Sequence, residues 1–274
     1  MSGSSIGTTI NQTVILGSPS YASPLTVTGS GFVYPTLSNP SAVLQGFSGR
    51  TLAAFGIIST VASPYLDNLG FILGAPAESF SSTGQTLGGY GAYFASGGTV
   101  ANGGTISGGA GAEGGVAVYI KGAGTIINSG LISGGYGKYL GNNAVLLSSG
   151  SVLNDGVITG GASQEQGGEA VFLSNSRVTN NGTILGGNGG IRGEIGVGLG
   201  QNNTLVNNGV IRAGNGGEFG EFAIYAVGKD TNTIINTSLI SGEAGLVMGA
   251  GSLSNTGEIL GTSGRASMSM PTPL

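Results

Sequence analysis

The ten residues Val152-Leu-Asn-Asp-Gly-Val-Ile-Thr-Gly-Gly161 decide the fold, because their pattern recurs along most of the chain. The pattern is apolar-x-Asn-x-Gly-x-Ile-x-Gly-Gly, and close copies occupy residues 100–109, 126–135 and 178–187. Copies with small departures occupy residues 66–74, 205–214, 234–242 and 253–261. Self-similarity at a fixed period of about 20–50 residues is typical of repeat architectures.

The asparagine of each copy marks the period. These residues are Asn68, Asn102, Asn128, Asn154, Asn180, Asn207, Asn236 and Asn255. Their separations are 34, 26, 26, 26, 27, 29 and 19 residues, so the period is close to 26. The short last period predicts an incomplete final coil. Two degenerate copies, near Val27 and Leu52, extend the repeat towards the N-terminus.

A second apolar element precedes each asparagine by about ten residues, as in Ala144-Val-Leu-Leu and Ala170-Val-Phe-Leu. One period therefore comprises three short strands separated by turns rich in Gly, Asn and Ser. Strands this short are stable when each pairs with its equivalent in the neighbouring coil. We predict an all-β fold, a right-handed parallel β-solenoid (β-helix) of about nine or ten coils.

Period-2 alternation assigns the side chains to the two faces of each strand. Val152 and Ile158 represent two columns of inward side chains. A third column comes from the first strand of each coil, and in the coil that contains residue 93 we predict that Tyr93 and Ala95 point inward. An outward stripe is then predicted from Phe94, Tyr119, Leu146, Phe172 and Tyr225. Three interpretations of this stripe remain open. Loops carrying Tyr90, Tyr136, Tyr139 and Phe219 cover it, or it forms a lateral contact between solenoids, or it stacks against sugar rings.

The asparagine column is predicted to be structural. An amide can donate a hydrogen bond to one neighbouring coil while it accepts one from the other, so stacked asparagines form a ladder. We expect the glycine two residues after each asparagine to adopt a positive φ at the same corner.

Composition excludes most classes of enzyme. The chain has no His and no Cys, which removes the commonest general base, every thiol nucleophile and most transition-metal ligands. Its carboxylates are scattered, and we interpret the one close pair, Glu218 and Glu221, as part of a solvated loop. We therefore predict no catalytic residue, no metal and no cofactor.

Charge and hydropathy limit the partners. Only 7% of residues are charged and the net charge is −4, so no nucleic acid is expected. No run of 18 apolar residues predicts a transmembrane helix, and the N-terminal residues do not have the pattern of a cleavable signal. An apolar fraction of 39% nevertheless predicts a folded chain.

We divide the chain into irregular N-terminal coils with a cap or donor segment (1–90), a regular solenoid (91–262) and a flexible tail (263–274). The N-terminal segment alternates Ile10, Val14 and Leu16 and has no charge, as expected of a donor strand. It either adds to the last coil of a second chain or pairs within its own chain and caps the first coil. The first alternative predicts open, head-to-tail filaments.

The Asn-x-Gly-x-Ile repeats and the opening Gly7-Thr-Thr-Ile-Asn-Gln-Thr-Val-Ile-Leu-Gly resemble the passenger regions of bacterial autotransporters and related β-helical surface proteins. The resemblance spans roughly residues 7–262 and implies an extracellular or cell-surface location. It further implies a structural or adhesive role, with a homo-oligomer, a filament, a glycan or a cell surface as partner. A glycan-binding or glycan-processing β-helix is the alternative function, since passengers with one scaffold differ in activity.

Overall fold

The computed structural model describes residues 3–36, 51–77, 86–218, 221–226 and 231–262, and within these ranges the chain forms β-strands and no helix. In chain order the strands are β1 (Ser4–Ile6), β2 (Thr9–Ile10), β3 (Val14–Leu16), β4 (Leu25–Val27), β5 (Phe32–Val33), β6 (Thr51–Leu52), β7 (Ile57–Ser59), β8 (Tyr65–Asn68), β9 (Phe71–Leu73), β10 (Thr86–Leu87), β11 (Ala92–Phe94), β12 (Gly98–Asn102), β13 (Thr105–Ser107), β14 (Gly111–Glu113), β15 (Val118–Asn128), β16 (Leu131–Ser133), β17 (Gly137–Leu140), β18 (Val145–Asn154), β19 (Val157–Thr159), β20 (Val171–Leu173), β21 (Ser176–Asn180), β22 (Thr183–Leu185), β23 (Val197–Leu199), β24 (Thr204–Asn207), β25 (Val210–Arg212), β26 (Phe222–Ala226), β27 (Asn232–Asn236), β28 (Leu239–Gly242), β29 (Ala244–Met248), β30 (Gly251–Asn255) and β31 (Glu258–Gly261).

Strands of successive coils pair in parallel and form four columns. The first column contains β3, β7, β11, the start of β15, the start of β18, β20, β23, β26 and β29. The second contains β1, β4, β8, β12, the end of β15, the end of β18, β21, β24, β27 and β30. The third is a ten-stranded sheet that runs from β2 to β31, and the fourth contains β6, β10, β14 and β17. The predicted parallel β-solenoid is confirmed.

At each inward position of the coil, the aliphatic side chains of successive coils stack in a column, and these columns fill the core. Val152 pairs in register with Ile126 and Val178, and Ile158 pairs with Ile132 and Ile184. These side chains are buried. Burying an aliphatic side chain of this size stabilises the fold by about 1.5–3 kcal/mol, so the repeated columns dominate the stability.

The inward and outward positions of β11 differ from the sequence prediction. Ala92 pairs with Val118, Tyr93 with Tyr119 and Phe94 with Ile120, so Phe94 points inward and is fully buried. The assignment of Phe94 to the outward stripe was wrong, and Tyr93 takes that place. The stretch Ala92-Tyr-Phe-Ala places two aromatic residues side by side, and its own alternation does not distinguish the two registers.

The glycine of Asn-x-Gly is required by close approach between coils rather than by a positive φ. Among the described residues, positive φ angles occur at other glycines, such as Gly122 and Gly150. A Cβ on Gly156 would lie 2.2 Å from the carbonyl oxygen of Gly130, and a Cβ on Gly182 would lie 2.2 Å from that of Gly156. Contacts this short exclude a side chain at the corner, whatever the backbone angles.

The last coil is short because it lacks a connection, so it is incomplete in its fourth column, but the prediction of a partial strand layer was wrong. It contributes β29, β30 and β31 to the first three columns. Only Glu243 separates β28 from β29, whereas eleven residues (186–196) separate β22 from β23. The missing residues are those that form the fourth column and its loop elsewhere.

The N-terminal segment pairs within its own chain, which was the second of the two alternatives. The strand β1 pairs with β4, β2 with β5, and β3 with β7. Val14 and Leu16 are buried in the core and Ile10 is half-buried. The same four-column arrangement thus begins well before residue 90. The predicted tail, 263–274, lies outside the described residues.

Candidate functional site

The eight predicted asparagines form one continuous ladder at the end of the second column. The Nδ2 of each asparagine except the last, Asn255, donates to the Oδ1 of the asparagine in the next coil over 2.7–2.8 Å. A second bond runs to a backbone carbonyl of the next coil, as from Asn128 Nδ2 to Val157 O at 3.2 Å. Asn128, Asn154 and Asn180 are fully buried. These buried rungs are therefore structural, and a ligand has no access to them.

The ladder stops at the C-terminal end of the solenoid. Asn236 still donates to Asn255, but the described residues offer the Nδ2 of Asn255 only the carbonyl of Gly257, at 3.2 Å. Asn255 is exposed, in contrast to the buried asparagines before it. An additional coil stacked on this end would supply the two acceptors that every other rung has.

The outward column of the first sheet is covered in its N-terminal half. It runs through Tyr93, Tyr119, Leu146, Phe172, Gly198 and Tyr225. Phe55 and Tyr90 fold across its start, with ring centroids 5.8 Å and 6.4 Å from that of Tyr93. Lys121 adds a cation 5.7 Å from the ring centroids of both Tyr93 and Tyr119. The loop residue Tyr90 thus covers this half of the column, in agreement with the interpretation that loops cover the stripe.

The C-terminal half of the same column is exposed. Phe172 retains 41% of its accessible surface and Tyr225 retains 36%. Of the other loop aromatics, Tyr136 is itself exposed, and Phe219 lies outside the described residues. Four of the five predicted stripe residues therefore share one column, but only Phe172 and Tyr225 are open to solvent to this extent.

A cluster of ionisable residues lies beside this exposed half. The Nε of Arg192 contacts Glu221 at 2.5 Å and Glu194 at 3.7 Å. Gln166 donates to Glu194 over 2.5 Å. This cluster was not predicted from the sequence, although Glu169, Glu194 and Glu221 are 25 and 27 residues apart, close to the coil period.

The pKa values of two carboxyls in and beside this cluster are raised. Burial, followed by the nearby charge of Glu194, raises the pKa of Glu169 to about 7, although an N–H from Asn143 opposes the shift. Burial also raises the pKa of Glu194, against the opposing effects of Gln166 and Arg192. Glu169 is therefore a carboxyl that exchanges its proton near neutral pH.

An open cleft of about 650 Å³ lies near the C-terminal end of the solenoid, where the last coil lacks the fourth-column loop. Its lining includes Arg212, Asn215, Glu218, Glu243 and Thr262. Glu218 is exposed here, whereas Glu221 is engaged with Arg192, so the two residues face different surroundings.

The described ranges contain neither a cluster of metal ligands nor a membrane-spanning helix. In these ranges no group of three or more acidic side chains is arranged to hold a metal ion. No helix there is long and apolar enough to cross a membrane. No protein-family description, curated protein or solved structure matches this chain.

Proposed function

We propose that this chain is a structural β-solenoid that assembles head to tail into filaments on the surface or in the matrix of bacterial cells. The observation that carries the proposal is that both ends of the described solenoid present unpaired strand edges. The strands β1 and β2 pair on one side only, and so do β30 and β31. Monomeric β-proteins normally block such edges with charges, prolines or covering segments.

The hydrogen-bonding groups of the two ends are complementary. In β1, the N–H of Ser4 and the carbonyl of Ile6 bond to the coil of β4, so the N–H and carbonyl of Ser5 point to the free edge. In β30, Thr256 N–H bonds back to Asn236, so the groups of Leu253 and Asn255 point to the opposite free edge. If the common register continues, Ser5 N–H meets the carbonyl of Leu253, and Asn255 N–H meets the carbonyl of Ser5.

The side chains of both ends favour contact. No charged residue precedes Arg50 in the sequence, and the strands β30 and β31 at the other end carry a single charge, that of Glu258. Leu253 and Ile259 are only half-buried, although the equivalent positions in the coils between the two ends are buried. Stacking would bury them. The first column is one strand shorter at the N-terminal end, so the junction consists of the second and third columns.

In this geometry, intact coils of two chains stack on each other, and no donor strand is exchanged between the chains. Val14 and Leu16 are buried in their own core, and moving them into another chain would expose that core. Their role as a donor segment is therefore not part of the proposal. The bacterial surface location is supported by the resemblance of the repeats alone.

Sedimentation velocity of the full chain and of Ser5→Pro tests the proposal. Proline removes the free-edge N–H of Ser5 and leaves the bonds of Ser4 and Ile6 to the next coil intact. We expect large, concentration-dependent assemblies for the wild type and for the matched control Ser5→Ala, and monomers for Ser5→Pro. Monomers in all three samples, or assemblies in all three, would overturn the proposal.

A further inference from the structure

Phe172 lies over a glycine in a column that elsewhere carries large side chains. Its neighbour in the next coil is Gly198, and a Cβ on Gly198 would lie 2.9 Å from Cδ2 of Phe172. The equivalent positions on either side of this pair hold Leu146 and Tyr225. The absence of a side chain at residue 198 therefore lets the Phe172 ring lie along the sheet.

Polar groups flank the Phe172 ring at both ends of its strand. Towards the N-terminus, Asn143 Nδ2 donates to Glu169 Oε2 at 3.2 Å, and that Oε2 atom lies 3.3 Å from the Cβ position of Gly198. Towards the C-terminus, Ser174 lies two residues after Phe172 and accepts a hydrogen bond from Asn175. The ring is thus an apolar surface between two sets of hydrogen-bonding groups.

A second ring lies beyond the glycine on the same face. Tyr225 stacks on Phe222 with a centroid distance of 5.4 Å and an interplanar angle of 20°, which fixes its orientation. Tyr225 and Phe172 are two coils apart, which is about 10 Å along the solenoid axis. This is the distance that a disaccharide unit of an extended glycan spans.

The exposed area of Phe172 and Tyr225 fits a ligand with a small ring better than it fits a protein partner. A buried aromatic side chain covers about 150–250 Å², so two rings exposed by about 40% offer about 120–200 Å². A stable protein interface needs about 800 Å² per partner. The ring of a pyranose, with C–H groups on its faces and hydroxyls at its rim, matches both the size and the polar flanks.

We propose that Phe172 and Tyr225, with Gly198 between them, form a binding platform for a neutral glycan chain that runs along the solenoid axis. Sugar rings stack on the two aromatic faces, and Glu169, Asn143 and Ser174 hydrogen bond to their hydroxyls. The neighbouring carboxyls Glu194 and Glu221 disfavour an anionic polysaccharide. The platform is on a side face, so it does not rest on the proposed end-to-end assembly.

Isothermal titration calorimetry with a panel of neutral oligosaccharides (cellopentaose, xylopentaose, chitopentaose and maltopentaose) tests this platform. We expect at least one to bind the wild type, and Phe172→Ala to weaken that binding by roughly tenfold. Gly198→Ala should also weaken it, because the added Cβ displaces the ring. Phe71→Ala is the matched control, since Phe71 is an exposed phenylalanine on another face.

Circular dichroism of each variant checks that it folds, which is expected because residue 172 is exposed and residue 198 occupies a column where other coils carry side chains. The proposal is overturned if no glycan of the panel binds the wild type. It is equally overturned if Phe172→Ala binds as the wild type does, or if the substitution changes sedimentation and leaves glycan binding unaltered.

Discussion

The Nδ2 of Asn128 donates to the Oδ1 of Asn154 over 2.8 Å, and Asn154 repeats the same bond to Asn180. Both N–H groups of each amide thereby find acceptors in the next coil, inside a core that water does not reach. A buried amide is tolerated only when its hydrogen bonds are made. The buried rungs of the ladder therefore each need a neighbouring asparagine.

Asn154→Ala should destabilise the solenoid by about 1–3 kcal/mol, because it deprives Asn128 of an acceptor and Asn180 of a donor. The shift of the urea unfolding midpoint measures the loss. Asn181→Ala is the control, since Asn181 is exposed and bonds to Asp155 at the surface. Equal shifts in the two variants would show that the ladder adds nothing to stability.

Ile158→Asn should cost several kcal/mol, since it places an amide among the aliphatic side chains of a fully buried column. Thr159→Asn, at the next residue, should change the free energy of unfolding little, because Thr159 is half-buried and its hydroxyl bonds only to the carbonyl of Gly160. Thermal unfolding of both variants provides the comparison. Similar losses would contradict the inward assignment of the isoleucine column.

Gly156→Ala should destabilise by at least about 2 kcal/mol, because the new Cβ would lie 2.2 Å from the carbonyl oxygen of Gly130 and push two coils apart. Gly103→Ala is the matched control. There the nearest atom is Cδ2 of Leu69 at 3.2 Å, at the end of a flexible side chain. Chemical denaturation distinguishes the two, and a Gly156→Ala variant as stable as Gly103→Ala would refute close approach as the reason for this glycine.

The solenoid should lose stability as the pH rises from 5 to 8. The pKa of Glu169 is about 7 in the folded chain against 4.5 for an unperturbed carboxyl, so the folded state binds this proton more tightly. Its contribution, roughly 3 kcal/mol at most, is complete below pH 4.5 and is lost as the pH passes through 7. Glu169→Gln should flatten the dependence in urea unfolding at pH 5 and pH 8, whereas a slope equal to that of the wild type would contradict the assignment.

The sequence predicts those parts of the fold that repeat. Ile158 and Asn154 recur at a near-constant period, and a stack of like coils satisfies both their packing and their hydrogen bonds. Phe94 was misplaced because a single coil with adjacent aromatics does not determine its own register. The true register comes from the pairing of Tyr93 with Tyr119 in the next coil.

The candidate site was predictable only in part. The column of Phe172 and Tyr225 follows from the period, but its exposure depends on which residue of the preceding loop lies across it. Tyr90 covers the early coils, and Asn143 and Glu169 occupy the equivalent positions later. Contacts between loops of different coils, such as that of Arg192 with Glu221, have no local signal in the sequence.

The most direct test of end-to-end stacking is electron cryomicroscopy of the assembled full chain. The account predicts filaments one solenoid wide, with strands perpendicular to the axis at about 4.8 Å spacing and an axial repeat of about 48 Å per subunit, from ten second-column strands per chain. The map should place Ser5 of one subunit against Leu253 of the next. Isolated rods, or filaments built by side-to-side contact between solenoids, would contradict it.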